Sequence, residues 1–526
     1  MRRLAILGGL IAALLLPGAA SAATLVPIVE GHPWATEPIF ATAPPADKRI
    51  FVVERGDFGT PGAIRVVENG TVKAQPFLSI GNIDLSAERG LLSMAFAPDY
   101  ATSGRFYVFY TAGGGDALDP SGEPGDIRIV EYRRSASDPN LADPASARLV
   151  LVTRHSATNH NGGWIAFGPD GKLYITIGDN AVDSNSQSLT NLFGKVLRID
   201  PADPDGAGPL TATIPDDNPF ANTSGARGEI YTFGLRNPFR ASFAPNGDLT
   251  IGDVGGGINE EINAGDLAGK NMGWPECEGF CDTPNPFFTD PVFEYPNVNS
   301  TDCAVLGGHV VRDPDLTGLT GRYLYADFCA DDLRTLNLSV PGADPGFPGI
   351  ELSGSQGWLR SFAEDSRGCS YVVTTESVFR IAAGPNAGAE CPRVVSPPPP
   401  PPPPPLPDVT FDFQIPKKRP LARRITVSGT CSIGCDLKAA GTVVIGRNRF
   451  LKRTRRIKLA EVTVDAAAKT RTNLALVLPN GALKKARKAA RRGSRITAHL
   501  KITAAADDGS GGSGSGRVRL IPAGRR

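Results

Sequence analysis

The sequence predicts an all-β chain: a six-bladed β-propeller, then a polyproline linker and a small β-sandwich domain. Three observations carry this. A strand, turn and strand unit recurs six times, 60 glycines and 46 prolines punctuate β-rich runs in 526 residues, and no amphipathic helix separates the strands. The last point argues against a parallel βαβ sheet. The clearest copies are FAPDYATSGRFYVFY from Phe96, FGPDGKLYITIGD from Phe167 and FAPNGDLTIGD from Phe243; weaker ones begin at Ala43, Gly321 and Phe362. Strand cores at Ile50, Phe106, Leu173, Leu249, Tyr323 and Ser370 follow one another at roughly 47 to 76 residues, a blade-sized period. A sandwich of that length would exceed one core, whereas radial repetition lets each blade bury its faces against the next.

In chain order, residues 1–22 read as a secretory signal: Arg2 and Arg3, an apolar run from Leu4 to Leu16, then Ala20, Ser21 and Ala22 before Ala23. The mature protein is expected to be secreted, extracellular or associated with the cell envelope, and no later apolar run is long enough to span a bilayer. Eight cysteines, all after the signal, suit an oxidising compartment. Proximity and order suggest Cys277 with Cys281, Cys303 with Cys329, Cys369 with Cys391 and Cys431 with Cys435. A zinc reading of the two CxxxC pairs is disfavoured because no histidine lies near either.

The propeller is expected over 23–392 and the proline-rich linker over 393–407. Nine consecutive prolines, Pro397 to Pro405, give a polyproline II rod of roughly 28 Å at about 3.1 Å per residue. The β-sandwich is expected over 408–526, with one helical piece from Ala482 to Arg492 and a Gly and Ser run, Gly509 to Gly516, as a flexible loop before the last strand. Net charge reverses across the linker. From Asp408 onward there are 27 Lys plus Arg against 7 Asp plus Glu; the rest carries 28 against 47, leaving +1 overall. A domain of charge +20 reads either as a contact for an anionic polymer of the cell envelope or as a solvated basic surface, and nucleic acid is not expected outside the cell.

Three groups of residues carry candidate chemistry. His160 stands in NHNGGW just ahead of a strand; a lone histidine in a β protein is more often structural, but the glycines after it allow a flat ligand to approach closely. Arg236 and Asn237, in GLRNP, stand in the same register of the next unit. A guanidinium there can orient an oxyanion or carboxylate, or bridge two blades. The stretch GDVGGGINEEINAGDLAGKNMGWP, Gly252 to Pro275, offers glycine carbonyls with Asp253, Glu260 and Glu261, either as hard ligands for calcium or as solvated acids of a turn-rich connection.

As an ordered set, ERGLLSMAFAPDY from Glu88, NHNGG, GPDGKLYITIGD, GLRNPFR and EEIN followed by KNMGWP resemble the soluble quinoprotein glucose and sorbosone dehydrogenase family, which includes aldose sugar dehydrogenases. The likeness runs from about Val26 to Ala383 and leaves the linker and basic domain outside. It implies a six-bladed propeller holding pyrroloquinoline quinone and calcium, which oxidises the anomeric carbon of an aldose to a lactone and passes electrons to an external acceptor. It implies His160 as general base and Arg236 as a catalytic group. Glu88, Asn159, Arg236, Asn237 and Arg360 become cofactor contacts, and the carbonyls of Gly255 and Gly256 become calcium ligands. Three departures stand out: Glu88 replaces a glutamine, Asn159 replaces an aspartate, and no lysine occurs around YLYADFCADDLRTL. A branch resembling the propeller of hedgehog-interacting proteins, which binds a protein partner without redox chemistry, is the alternative. A lactone-hydrolysing propeller comes third, since the motifs supply no obvious central cage of carboxylates.

Overall fold

A computed structural model describes residues 23–391 and 411–522, apart from short segments at 30, 32, 203, 205–210, 282–284, 299–300, 331, 339–355, 385–387, 433–434, 449, 468–469 and 507–510. The expected signal at 1–22 and the linker at 393–407 lie outside the described residues. The chain is nearly all β and divides into two compact units, Met1–Val394 and Val395–Arg526.

Six sheets, all antiparallel, make up the first unit among the described residues. Their first strands are Pro38–Thr42, Leu91–Phe96, Ile165–Phe167, Pro238–Phe243, Val305–Val310 and Leu359–Glu364. Each sheet packs its inner strands against those of the next, and Leu359–Glu364 returns to Pro38–Thr42, so the series closes on itself. The predicted strand cores are the second strands of these sheets: Ile50–Glu54, Arg105–Gly113, Leu173–Ile177, Leu249–Asp253, Tyr323–Asp327 and Ser370–Thr374. Apart from the ends of Arg105–Gly113 they are buried throughout, so these runs are apolar on both faces, as strands packed between two layers must be. The recurring Pro-Asp/Asn-Gly turn is the hairpin between first and second strands. At the other end of the order, Ala23–Pro27 pairs with Val378–Ala383 and becomes the outermost strand of the last sheet. This joins the start of the unit to its end without a covalent link.

Aromatic edges tie neighbouring sheets together. Phe51 meets Phe77 at 5.0 Å and Phe96 at 4.9 Å between ring centroids, and Phe77 meets Phe106 at 4.9 Å. Truncating such a buried ring to alanine costs about 3–5 kcal/mol. The cysteines are joined as sequence proximity suggested: Cys277–Cys281, Cys303–Cys329, Cys369–Cys391 and Cys431–Cys435. No helix of the described residues is long and apolar enough to cross a membrane.

Among the described residues the second unit has a three-stranded sheet, a six-stranded sheet and one helix around an apolar cluster that includes Val427, Leu437, Leu476, Ala486 and Leu500. The helix spans Asn480–Arg491 and buries Ala486, with Leu483, Ala489 and Ala490 partly buried beside it, the i, i+3 and i+4 stripe of an amphipathic helix. Lys488 and Arg491 stand in its last turn, where cations suit the helix dipole. Of the Gly and Ser run expected to be a loop, 509 and 510 lie outside the described residues and 511–516 are instead part of a strand, Gly511–Ile521, paired with Ile496–Ala506. Packing explains the correction. A β-carbon on Gly514 would stand 2.9 Å from the Phe413 ring and one on Gly516 2.9 Å from Ile415, so this strand is glycine-rich because two apolar side chains lie against its backbone.

Candidate functional site

The inner strands are not regular at one end. Register slips by one residue at Ile39, Leu92, Phe239 and Arg360, the same place in four sheets. Each slip is a β-bulge, which re-aims a side chain and releases its backbone from the ladder. All four residues line one cavity of about 360 Å³, together with Glu37, Arg55, Glu88, Asn237, Val254, Leu306, Phe328 and others. Three of the four bulge carbonyls share one donor. The buried Arg240 guanidinium donates to the carbonyls of Ile39 at 2.9 Å, Phe239 at 3.2 Å, Gly163 at 3.3 Å and Leu92 at 3.4 Å. One side chain thus satisfies acceptors from four sheets beneath the cavity floor. Burial, with Arg360 adding repulsion, pushes the Arg240 pKa down to about 9, which keeps it charged at neutral pH. A larger cavity of about 460 Å³ begins on the far side, lined by Arg240 and by Phe40, Phe96, Trp164, Phe243 and Phe362. It holds none of the candidate residues, so the smaller cavity is the one that concerns chemistry.

Two arginines and two glutamates carry the charges on the walls of the smaller cavity. Glu37 is shared between Arg360, at 3.2 Å, and Arg55, at 3.5 Å, so two arginines stand against one carboxylate. Arg55 is further fixed by the carbonyls of Arg89 at 2.8 Å and Leu85 at 3.1 Å. Burial raises the Glu88 pKa, opposed by the His160 amide and by the charge of Arg236. The Glu88 carboxylate accepts the His160 backbone N–H at 2.8 Å, which is the use this chain makes of an acid in place of glutamine.

His160 is held from three sides. Its backbone takes a positive φ of 56°, its ring Nδ1 lies 2.7 Å from Asp179 Oδ1, and its carbonyl accepts from His155 Nε2 at 3.0 Å. Asp179 is fully buried and also accepts from Trp274 Nε1 at 3.2 Å and the Ala181 amide at 2.8 Å. A carboxylate at Nδ1 sets the tautomer that leaves Nε2 free to accept a proton. Arg89, next to Glu88, donates to the carbonyls of His155, Ser156 and Ala157 at 2.9–3.1 Å, so the ERG motif fastens the loop that carries the histidine. Glycine is required at Gly178, where a β-carbon would stand 2.1 Å from the His160 carbonyl.

The arginine loop joins this arrangement. Arg236 donates from its backbone to Asp253 Oδ2 at 3.0 Å, and Asn237 to Oδ1 at 2.8 Å. The Arg236 guanidinium lies 5.4 Å from the Trp274 ring centre and donates to the Val254 carbonyl at 3.1 Å. Asn237 Oδ1 accepts from the Gly162 amide at 3.0 Å, leaving its side-chain NH₂ as the donor on the cavity side. Trp274 therefore touches both loops.

Of the residues predicted from sequence, Glu88, Asn237 and Arg360 line the cavity, and His160 and Arg236 are bonded to its walls or neighbours. Asn159 is half-buried and outside the lining. Gly255 and Gly256 are also outside it. Their amides face carboxylates, Gly255 to Glu260 at 3.2 Å and Gly256 to Glu278 at 2.7 Å. Asp253, Glu260 and Glu261 are neither solvated nor gathered as ligands: each is buried and accepts backbone N–H groups, and burial raises each carboxyl above its ordinary range. Sequence reasoning missed Asp179, Trp274, Arg55, Glu37 and Arg240. Asp179 had a signal, since IGD ends both motif copies. Arg55 supplies a cation to a wall for which no lysine was found.

A closed series of β sheets with a cavity on its inner strands, flanked by a carboxylate-oriented histidine, defines a propeller-like protein with a candidate site. Comparison with known proteins makes this specific: the chain belongs to the glucose/sorbosone dehydrogenase family, whose profile matches residues 31–376. It is similar to the aldose sugar dehydrogenase YliI of Escherichia coli, 32% identical over 247 residues, covering 46% of this chain and 59% of that one. It is also similar to the human hedgehog-interacting protein, 29% identical over 345 residues, covering 62% and 47%. The chain thus spans about half the length of the curated relatives it matches. Its fold is like that of a PQQ-bound aldose sugar dehydrogenase from Streptomyces coelicolor, with a TM-score of 0.53 at 24% identity over 69% of this chain and 99% of that one.

Proposed function

We propose that this is a secreted quinoprotein oxidoreductase that oxidises the anomeric C1 hydroxyl of aldose sugars to a lactone, using pyrroloquinoline quinone and an external electron acceptor. In this reading the six sheets are six blades over 23–392, residues 1–22 are a secretory signal, and 393–407 link the propeller to a basic β-sandwich over 408–526 that contacts anionic envelope polymer. The observation that carries the catalytic part is the His160–Asp179 pair beside a cavity lined by Arg55 and Arg360, with Arg236 bonded to its lining residue Val254.

These residues fit a flat, multiply anionic quinone. The bulge residues Ile39, Leu92 and Phe239 give an apolar floor, and Arg55 and Arg360 stand on its walls with one carboxylate, Glu37, shared between them. When bound, the quinone supplies a two-electron acceptor. Arg360 and Arg55 would exchange part of their bond to Glu37 for the ligand's carboxylates, and Arg236 with the Asn237 amide would hold its ring oxygens. Asp179 keeps the proton on His160 Nδ1, so Nε2 takes the proton of the sugar C1 hydroxyl as the C1–H bond is broken. Calcium at the Gly255 and Gly256 carbonyls was also expected. The amides of that loop are held by Glu260 and Glu278, and neither glycine lines the cavity.

Dye reduction by an aldose panel, with and without added quinone and calcium, tests the reading alongside calorimetric titration of quinone into the protein. Cofactor-dependent turnover is expected. Absence of both turnover and quinone binding would instead favour a binding propeller, the reading to which the likeness to hedgehog-interacting protein points.

A further inference from the structure

The outward face of the six-stranded sheet in the second unit carries a row of cations that the axial site does not use. Strand alternation sets this face. Leu437, Ala439, Val443 and Ile445 are buried on one strand, Ala498, Leu500 and Ile502 on its neighbour, so Ala440, Thr442, His499 and Lys501 point the other way. Thr442 pairs with Lys458 on one side and His499 on the other, and His499 pairs with Arg517. In the next row Val444 pairs with Arg456 and Thr497, and Thr497 with Arg519. Arg456, Lys458, Lys501, Arg517 and Arg519 are all exposed, and among the described residues none has a carboxylate within ion-pair distance. The acids of this sheet sit at its other end: Asp436 opposite Asp465, and Glu461 bonded to Lys438 at 2.9 Å.

The surface here is a trough of about 650 Å³. Ala440, Gly441 and Thr442 form a floor of small residues on the middle strand, with Arg456 and Lys458 on one bank, His499 and Lys501 on the other, and Ser515 on the strand beyond. Neighbouring strands lie ~4.8 Å apart and alternate residues ~6.8 Å apart, so the banks are about 10 Å from each other; Arg456 and Lys458 repeat their charge along the first, and Lys501 stands on the second.

We infer that this trough binds a linear polyanion, a polymer bearing one phosphodiester or carboxylate on each repeat, laid along the strands between the two banks. The chemistry separates this occupant from others. Stacking of nucleic-acid bases needs aromatic platforms, and the trough has no Phe, Tyr or Trp. Seating in a bilayer surface needs an apolar edge, and its exposed lining residues are cationic, hydroxyl or alanine. The assignment gives the anionic polymer of the proposed function a place and stands whether or not the first unit oxidises sugar.

The test uses the full-length chain and labelled poly(glycerol phosphate), followed by fluorescence anisotropy, with polygalacturonate as the carboxylate arm. Binding by either polymer supports the inference, and the tighter one names the group. Affinity should fall at least tenfold between about 50 mM and 500 mM salt, because screening shortens severalfold over that range. The triple variant Arg456→Ser, Lys458→Ser, Lys501→Ser should bind at least tenfold more weakly, while Lys484→Ser, Lys485→Ser, Lys488→Ser on the helix should lose less than about threefold. Should the trough triple fail to fold, Lys501→Glu alone replaces it and should weaken binding. Equal loss in the two triples would overturn the trough while leaving a basic tether. Equal affinity for duplex DNA or phosphatidylglycerol vesicles would overturn the polymer.

Discussion

The two motif copies at Asn159–Asp179 and Gly234–Asp253 have the same local design and put it to different use. In both, a polar loop precedes a hairpin whose second strand runs into Ile-Gly-Asp, which lies within the strand in the second copy and passes its end at Ile177 in the first. In the first, the closing Asp179 reaches back to a side chain, the His160 imidazole at 2.7 Å. In the second, Asp253 reaches back to backbone, the amides of Arg236 and Asn237. The same carboxylate position therefore tunes a proton acceptor in one sheet and fixes a loop conformation in the next. The loops are also tied to each other, since the Asp179 amide donates to the Arg236 carbonyl at 2.8 Å and Trp274 spans both. A repeat supplies positions; what stands on them decides whether a position becomes chemistry or scaffold.

The largest expected effect separates these roles through rate. His160→Ala should bind quinone nearly as well as the parent protein yet lose roughly 10² to 10⁴ in turnover, the usual contribution of a positioned base. Asp179→Asn should lose less, about tenfold to a hundredfold, with the pH profile of turnover shifted, because the ring remains but its tautomer is no longer set. Retained activity in His160→Ala would remove the histidine from the chemistry.

A smaller and different effect is expected on the other side. Arg236→Ala should weaken both quinone binding and rate, because its charge acts in the ground state and the transition state alike. Asp253→Ala should leave two backbone amides without an acceptor and cost about 2–4 kcal/mol of stability in a denaturant titration. If Asp253→Ala kept its unfolding midpoint and lost only turnover, the contrast between the two aspartates would collapse.

The legible parts of this chain were those that repeat. Ile50, Phe106, Leu173, Leu249, Tyr323 and Ser370 each begin, or stand one residue into, the second strand of a sheet, because a turn signal followed by an apolar run is local information. His160, Arg236, Asn237, Glu88 and Arg360 were legible through motif resemblance. The bulges at Ile39, Leu92, Phe239 and Arg360 were not, since a one-residue slip leaves no trace in composition, and without them nothing shows that these residues share a cavity. Arg240 was invisible for a related reason: its acceptors are backbone carbonyls from distant strands, which any sequence possesses. The glycine-rich strand Gly511–Ile521 misled because glycine reads as flexibility when the sequence offers no view of Phe413 and Ile415 lying across it.

The finest test of the comparison is pH, because the two loops are held by groups with opposite responses. Burial pulls His155, whose Nε2 bonds the His160 carbonyl, down to about 4 from an ordinary value near 6.5, with the charges of Arg89 and His160 adding to the effect. Between those values the unfolded chain takes up a proton that the folded chain refuses, so stability falls as pH drops from about 6.5 to about 4. Burial has the reverse effect on Asp253, raising its carboxyl above the ordinary 3.8, with Asp179 repelling it further and Arg236 opposing. The folded chain keeps a proton that the unfolded chain releases, so that contribution is complete below about 3.8 and is lost as pH rises. Acid should therefore loosen the histidine loop and base the arginine loop, seen by hydrogen exchange of residues 155–160 against 234–237 between pH 4.5 and 7.5. His155→Gln, which can offer the same N–H to His160, should flatten the acid limb of stability by up to about 3 kcal/mol. An unchanged acid limb in that variant, or both loops opening together in acid, would show that the two motifs respond as one unit.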